Sequence, residues 1–320
     1  SLMESVAGSP FFSIPICLDL FRSNVLLRVA IVSGAITFAL SDQSNLAAEI
    51  EFKSGIEYAR PDGQSLKLNM ARPEAVDQRR MPAVVCIHGG GFVGGNRSSW
   101  DSFVRKLASC GYIAVTIDYR LAPKYQWPAQ IHDCNAAVRW LRAHADRYGI
   151  DAAQIGVMGN SAGGHLAQFM GVTSDVPEFR GTHTHLDYPH RVQCVAAWSQ
   201  ASDFTREYGI WDRAGEVFKI FLGKSLTTET RRLHVRASPL FWVTPNASPS
   251  LILHGTRDPE VLFAQSVWIY DRLVSAEVDV KLVPLEGAGH SFSGKDLETA
   301  SASTIRFFDA HLKRQKATDR

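Results

Sequence analysis

The sequence predicts a doubly wound α/β domain: a mostly parallel central sheet with helices on both faces. Three observations point to it. Short runs of β-branched and apolar residues recur from about Glu49 onward, and helix-length amphipathic stretches separate them. The runs are apolar throughout and do not alternate with polar residues, as befits strands covered on both faces. With 320 residues, 45% of them hydrophobic and 21% charged, the chain has material for one large core.

In chain order, "GIEYARP" and "SLKLNMARP" read as an opening pair of strands, with Asp62 and Gly63 as turn residues. "PAVVCIH", "YIAVTIDY", "IGVMGN", "QCVAAWS", "SLILHGT" and "DVKLVPLEG" follow as buried strands. Helical patterns lie between them at about 98–109, 129–147, 162–172, 260–276 and 296–313. Residues 202–240 break the rhythm with mixed aromatic and charged sequence and read as a small insertion over the strand ends. Within it Trp211, Phe218 and Phe221 either line a pocket or simply pack.

Residues 1–48 form an N-terminal extension ahead of a domain spanning 49–320. Arg28 precedes "VAIVSGAITFAL", an apolar run too short to cross a bilayer, followed by polar "SDQSN" and then "LAAE". The pattern resembles a secretory signal cleaved near Ala48, which implies a secreted or periplasmic protein. The competing reading is an amphipathic lid helix on a cytoplasmic protein. No extended apolar segment follows, so stable membrane insertion of the mature chain is not expected.

The formal charge of +2 comes from 34 basic and 32 acidic residues spread along the chain, which argues against nucleic acid as the main ligand. The five cysteines are scattered without a CxxC pair and read as small buried apolar groups.

The stretch that carries chemistry is "IGVMGNSAGGHLAQFMG". Gly159 to Gly163 spell G-x-S-x-G after a predicted strand and before a predicted helix, the context in which a tight turn pushes a serine hydroxyl out as a nucleophile. The free N–H groups and positive dipole end of the following helix suit a developing oxyanion. Ser161 then needs a base and an orienting acid, expected downstream in the order acid, histidine. "LILHGTRDPE" places Asp258 after one strand, and "LEGAGHSF" places His290 in a loop after the next. Loops of this kind converge at the strand C-termini of an open sheet. Earlier, "VCIHGGGFVGGN" puts three glycines after a strand. Bare backbone at Gly90 and Gly91, with the N–H of Ala162, would cradle the oxyanion. His88 would anchor that loop by hydrogen bonding.

Rival residues have other readings. His254 fits a packed or hydrogen-bonded core histidine, and His165 lies one helical turn after the serine, on the wrong element for the base. Asp203 and Glu286 are alternative acids. His183, His185 and His190 invite a metal, but an H-x-H pair without a second spaced cluster does not argue for one. No metal and no cofactor are expected. Trp100, Trp198 and Asp203 either border the cleft or pack.

Together "HGGGF", "YRLAP", "GNSAGG", "HGTRD" and "GAGHSF" resemble the α/β-hydrolase esterases, over about Ile56 to Leu312. They are most similar to the bacterial branch with bifunctional acetylxylan and feruloyl esterases, and more distantly to the hormone-sensitive lipase group. "HGTRD" departs from the D-P-L-x-D pattern of the lipase group, and Asn160 stands where that group commonly has Asp. The resemblance implies an α/β-hydrolase fold and a serine carboxylic-ester hydrolase with Ser161, His290 and Asp258 as triad and Gly90, Gly91 and Ala162 as oxyanion donors. An acyl-enzyme would form on short-chain esters, with acetyl or feruloyl groups on plant polysaccharide among the substrates implied. The alternatives are a general short-chain carboxylesterase with no polysaccharide substrate, a serine peptidase, or a non-catalytic binding protein.

Overall fold

The computed structural model describes residues 49–74, 80–206 and 214–313. The predicted export segment at 1–48 and Trp211 lie outside them. Strands β1 (Ile50–Ala59) and β2 (Leu66–Pro73) pair antiparallel, with Ile56 opposite Leu68. The turn between them is the expected one: Asp62 and Gly63 take φ of 49° and 76°. There follow β3 (Met81–Ile87), α1 (Asp101–Ser109), β4 (Ile113–Ile117), α2 (Ala129–Ala143), α3 (Ala145–Tyr148), β5 (Ile150–Asn160) and α4 (Ala162–Val172). The chain continues through β6 (Cys194–Trp198), α5 (Ala214–Leu222), α6 (Arg231–Arg236), β7 (Ser250–Gly255), α7 (Ala264–Ser275), β8 (Val280–Leu285) and α8 (Gly294–Leu312).

Among the described residues these strands make one eight-stranded sheet of order β1-β2-β4-β3-β5-β6-β7-β8. β3 to β8 run parallel, and β2 joins β4 antiparallel. This is the predicted α/β-hydrolase architecture.

Strand β3 shows why its sequence is apolar without alternation. Ala83, Val85 and Ile87 pack on one face with Ile131, Leu141, Leu166 and Phe169 of α2 and α4. Val84 and Cys86 pack on the other with Val104, Leu107 and Phe308 of α1 and α8. Each buried Val, Leu, Ile or Phe among them stabilises the fold by about 1.5–3 kcal/mol, so both faces of this strand are apolar. Edge strand β8, by contrast, carries exposed Lys281 and Pro284, which suit a strand with one free side.

Three boundaries differ from the sequence expectation, each for a local reason. The helix expected over 129–147 is two helices that part at His144, whose φ of −109° and ψ of 18° leave the helical range although its N–H still donates to the Trp140 carbonyl at 3.0 Å. Strand β5 starts at Ile150, ahead of "IGVMGN", with an irregularity where Met81 pairs with Ile150 and Ala83 with Ile155. Helix α7 begins only at Ala264, because residues 258–261 are folded around the Asp258 carboxylate. Cys86, Cys134 and Cys194 are buried free thiols, and burial pushes those of Cys86 and Cys194 up. No helix among the described residues is long and apolar enough to cross a membrane.

Candidate active site

Ser161 sits between the end of β5 and the start of α4 with φ 53° and ψ −122°, a conformation that costs a non-glycine residue energy. Two backbone bonds hold it there: its N–H donates to the Trp198 carbonyl at 2.8 Å, and its carbonyl accepts from His165 N–H at 2.9 Å. The approach is so close that a Cβ on Gly163 would overlap the Ile87 carbonyl, and one on Gly159 the Gly163 carbonyl. The two glycines of G-x-S-x-G are thus dictated by the crossing of β5 and α4 over β3.

His290, in the loop after β8, brings Nε2 to 2.8 Å from Ser161 Oγ and Nδ1 to 2.7 Å from Asp258 Oδ2. Ser199 fixes that loop by donating its hydroxyl to the His290 carbonyl at 2.9 Å. Asp258, after β7, accepts the N–H groups of Glu260 and Val261 on Oδ1 at 2.8 and 2.9 Å. Burial works to raise its pKa, but the His254 and His290 hydrogen bonds and these amides outweigh that and hold the carboxyl below the usual carboxylate range. An ionised Asp258 keeps the proton of His290 on Nδ1, which leaves Nε2 as acceptor for the serine hydroxyl.

The loop "HGGGF" lies beside the serine. Gly90 and Gly91 take φ of 111° and 61°, and a Cβ on Gly90 would overlap the Gly94 carbonyl. No hydrogen bond among the described residues occupies the N–H of Gly90, Gly91 or Ala162, and all three residues line the same cavity as Ser161. Asn160 ties that loop to the turn at Ser161 by accepting Gly89 N–H on Oδ1 at 3.2 Å. His88 anchors the loop from behind: its Nδ1 meets the Gly89 carbonyl at 2.7 Å, and its ring stacks on Tyr119 at 4.3 Å. The motif "YRLAP" acts here as a buttress. Tyr119 donates to the His88 carbonyl at 3.0 Å, Ala122 N–H donates to the Phe92 carbonyl at 3.0 Å, and Arg120 forks onto the buried Asp133 of α2.

The cavity has a volume of about 370 Å³. Its apolar wall includes Phe92, Val93, Ala201, Val217 and Phe218, so α5 of the insertion does reach the strand ends. Phe221 is buried and stacks on Phe92 at 3.7 Å. A smaller hollow of about 200 Å³ opens on the other side of His290, bordered by Ser99, Trp100, Trp198, Ser199 and Phe292.

The rival residues go elsewhere. His165 is fully buried, its Nδ1 bonded to the Ala201 carbonyl at 3.0 Å, and burial lowers its pKa to about 4. Asp203 accepts from Thr205 and pairs with Arg206 at 3.0 Å, while Glu286 is exposed in the turn after β8. His183 lies against Asp133, His185 against His144, and His190 is buried near arginines. Among the described residues no group of His, Cys, Asp or Glu is arranged to hold a metal ion.

The sequence reading pairs neither His254 nor Glu260 with the acid. His254 is the hydrogen-bonded core residue expected, and its partner is Asp258 Oδ2, bonded through Nε2 at 3.0 Å, with Nδ1 held by Ser266 at 2.6 Å. A buried histidine four residues before an acid across a strand end is the signal that marks it. Glu260 follows the acid by two residues, and an aspartate at a turn accepts the N–H two residues on, which places Glu260 beside it.

The BD-FAE family model matches residues 68–273. The chain belongs to the BD-FAE family. Similar to this BD-FAE chain is esterase LipC of Mycobacterium tuberculosis, 31% identical over 242 residues that make up 72% of this chain and 58% of LipC. The chain thus spans little more than half of that relative. Ethyl acetate hydrolase of Pseudomonas putida is 29% identical over 82% of this chain and 83% of its own length. Among solved structures, a truncated carbohydrate esterase from gut microbiota superposes with a TM-score of 0.74 at 23% identity, covering 84% of this chain and 99% of that one. Thermogutta terrifontis esterase 2 with propionate bound gives a TM-score of 0.67 at 26% identity, over 85% and 97%. At its identity the first of these two is a likeness of fold to the BD-FAE chain.

Proposed function

We propose that the protein is a serine carboxylic-ester hydrolase acting on short-chain acyl esters. The observation that carries this is the hydrogen-bonded chain from Ser161 through His290 to Asp258, opening on a cavity with three free backbone donors. In the reading it supports, Ser161 Oγ bonds to the acyl carbon while His290 Nε2 takes its proton. The charge that builds on the carbonyl oxygen is met by the N–H groups of Gly90, Gly91 and Ala162, each worth on the order of 3 kcal/mol. The ester C–O bond then breaks, and the alcohol leaves with the proton from Nε2. Water enters by the same route, giving its proton to His290 and releasing the acid from Ser161.

A cavity of about 370 Å³ walled largely by apolar side chains accommodates acetyl to butyryl groups. A second reading, release of acetyl or feruloyl groups from polysaccharide, is supported by the hollow beside His290, where three serines with Phe292 and Leu297 offer a mixed polar and apolar surface. That reading goes with export directed by the segment before Ala48.

The test is covalent. A fluorophosphonate probe should label Ser161, mapped by peptide mass spectrometry, and Ser161→Ala should lose both labelling and roughly 10⁴-fold or more of p-nitrophenyl acetate turnover, with its melting temperature kept. Turnover surviving in Ser161→Ala would overturn the reading. Acetate release from acetylated xylan then separates the polymer reading from a general esterase.

A further inference from the structure

Glu260 puts a carboxylate where none of the proposed bond-making steps needs one. Its N–H donates to Asp258 Oδ1 at 2.8 Å, which pins the residue beside the acid. Its side chain then turns into the cavity, so that Oε2 lies 3.7 Å from His290 Nε2, and it keeps 43% of its surface exposed. Among the described residues His290 is its one ion-pair neighbour, and no other Asp, Glu, Lys or Arg lines this cavity. An unneutralised negative charge thus faces an otherwise apolar or uncharged wall, at the atom that exchanges protons with substrate.

We infer that Glu260 is a specificity-determining residue, selecting by charge on the leaving-group side: it favours esters of cationic alcohols over their neutral isosteres. The inference rests on the ester-hydrolase reading of Ser161 and His290. In that chemistry the alcohol oxygen must come to about 3 Å from Nε2 to receive its proton. The alcohol, and not the acyl chain, is therefore the part of the substrate brought next to Oε2. In the same reading the acyl chain would lie toward Val217 and Phe218, which line the same cavity. An ammonium group two or three bonds beyond the ester oxygen stands at roughly 4–7 Å from the carboxylate. At the effective dielectric of a protein surface, attraction over that distance is worth about tenfold in kcat/KM. Its half-exposed setting makes the effect weaken as salt is raised. An anionic alcohol meets the same field with the opposite sign.

The experiment compares acetylcholine with 3,3-dimethylbutyl acetate, which has carbon in place of the nitrogen and the same shape. The quantity read is the ratio of their kcat/KM values within one protein, which cancels any change in the steps common to both. Where either ester turns over slowly, the ratio of the two inhibition constants against p-nitrophenyl acetate hydrolysis is read in its place. Relative to the unaltered protein, Glu260→Gln should lower the cation-to-neutral ratio about tenfold, and Glu260→Lys should lower it further. The difference should shrink in 0.5 M salt, where screening acts over about 4 Å. An unchanged ratio in both variants overturns the inference. Ser161→Ala run beside them separates the two claims: if it still cleaves the neutral ester, it is the hydrolase reading that fails.

Discussion

Four hydrogen bonds among the described residues end on the Asp258 carboxylate, from His254, His290 and the N–H groups of Glu260 and Val261. Each removes a way for the side chain to rotate, so the acid presents one oxygen to His290 in one direction. Asp258→Asn keeps the shape but makes the amide a donor toward His290, favouring the wrong tautomer, and kcat should fall by about 10⁴-fold. His254→Ala tests a subtler point. It leaves Asp258 with one side-chain partner fewer and strands the Ser266 hydroxyl in the core. The expected result is a loss of about 1–3 kcal/mol in urea unfolding. A kcat lowered about tenfold at unchanged KM for p-nitrophenyl acetate should accompany it, because an acid freed to rotate orients His290 less well. A variant equal to the parent in both measurements would remove His254 from the site.

The elements around the serine hold it by different means, and these respond differently to mutation. The segment after β4 braces the glycine loop through a buried ion pair, with Arg120 at 7% and Asp133 at 0% side-chain exposure. Arg120→Ala leaves the Asp133 charge unpaired in the core and should cost about 3–5 kcal/mol, read as a lower denaturant midpoint. Helix α5 supplies the apolar end of the cavity through Val217 and Phe218. Phe218→Ala should therefore shift the preferred p-nitrophenyl ester from acetate and butyrate toward hexanoate or octanoate. No shift would mean that the acyl chain lies elsewhere.

Element by element, what the sequence discloses follows from how local the cause is. α4 begins and ends where expected because glycines and apolar spacing, all within its own segment, decide it. That Ser161, Asp258 and His290 meet is legible because each follows a strand, and strand ends converge. The bracing of Tyr119 on His88 depends on which loops meet in space, and nothing near either residue announces a partner 31 residues away. His254 and Glu260 lie four and two residues from Asp258; what stays hidden in the sequence is that Glu260 turns its carboxylate toward His290, in the loop after the next strand. The break at His144 is hidden for another reason: it lies in the φ and ψ of one residue within an otherwise continuous helical pattern.

Across the whole molecule, acid acts on buried histidines outside the chain of Ser161, His290 and Asp258. Burial lowers the pKa of His132, His165 and His190 to about 4, so all three are neutral in the folded chain at pH 7. In the unfolded chain each takes up a proton near the ordinary value of about 6.5. Between about pH 6.5 and 4 the unfolded state therefore binds more protons, and stability falls as pH falls. Asp258 adds to this at still lower pH, where its depressed carboxyl is finally protonated. Thermal melts should be level from pH 8 to 7 and drop steadily from 6.5 to 4.5, and equal melting temperatures at pH 7 and 4.5 would refute the assignment. The cavity itself is built from two sources. Glu260 and Val261 are shaped by the acid they follow, whereas Val217 and Phe218 come from an inserted helix that makes no bond to Ser161, His290 or Asp258. For anyone diversifying this protein in the laboratory the two walls are unequal material. Libraries at 217 and 218 can explore new acyl groups while the reaction keeps running, but libraries at 260 and 261 change substrate choice and catalytic alignment together.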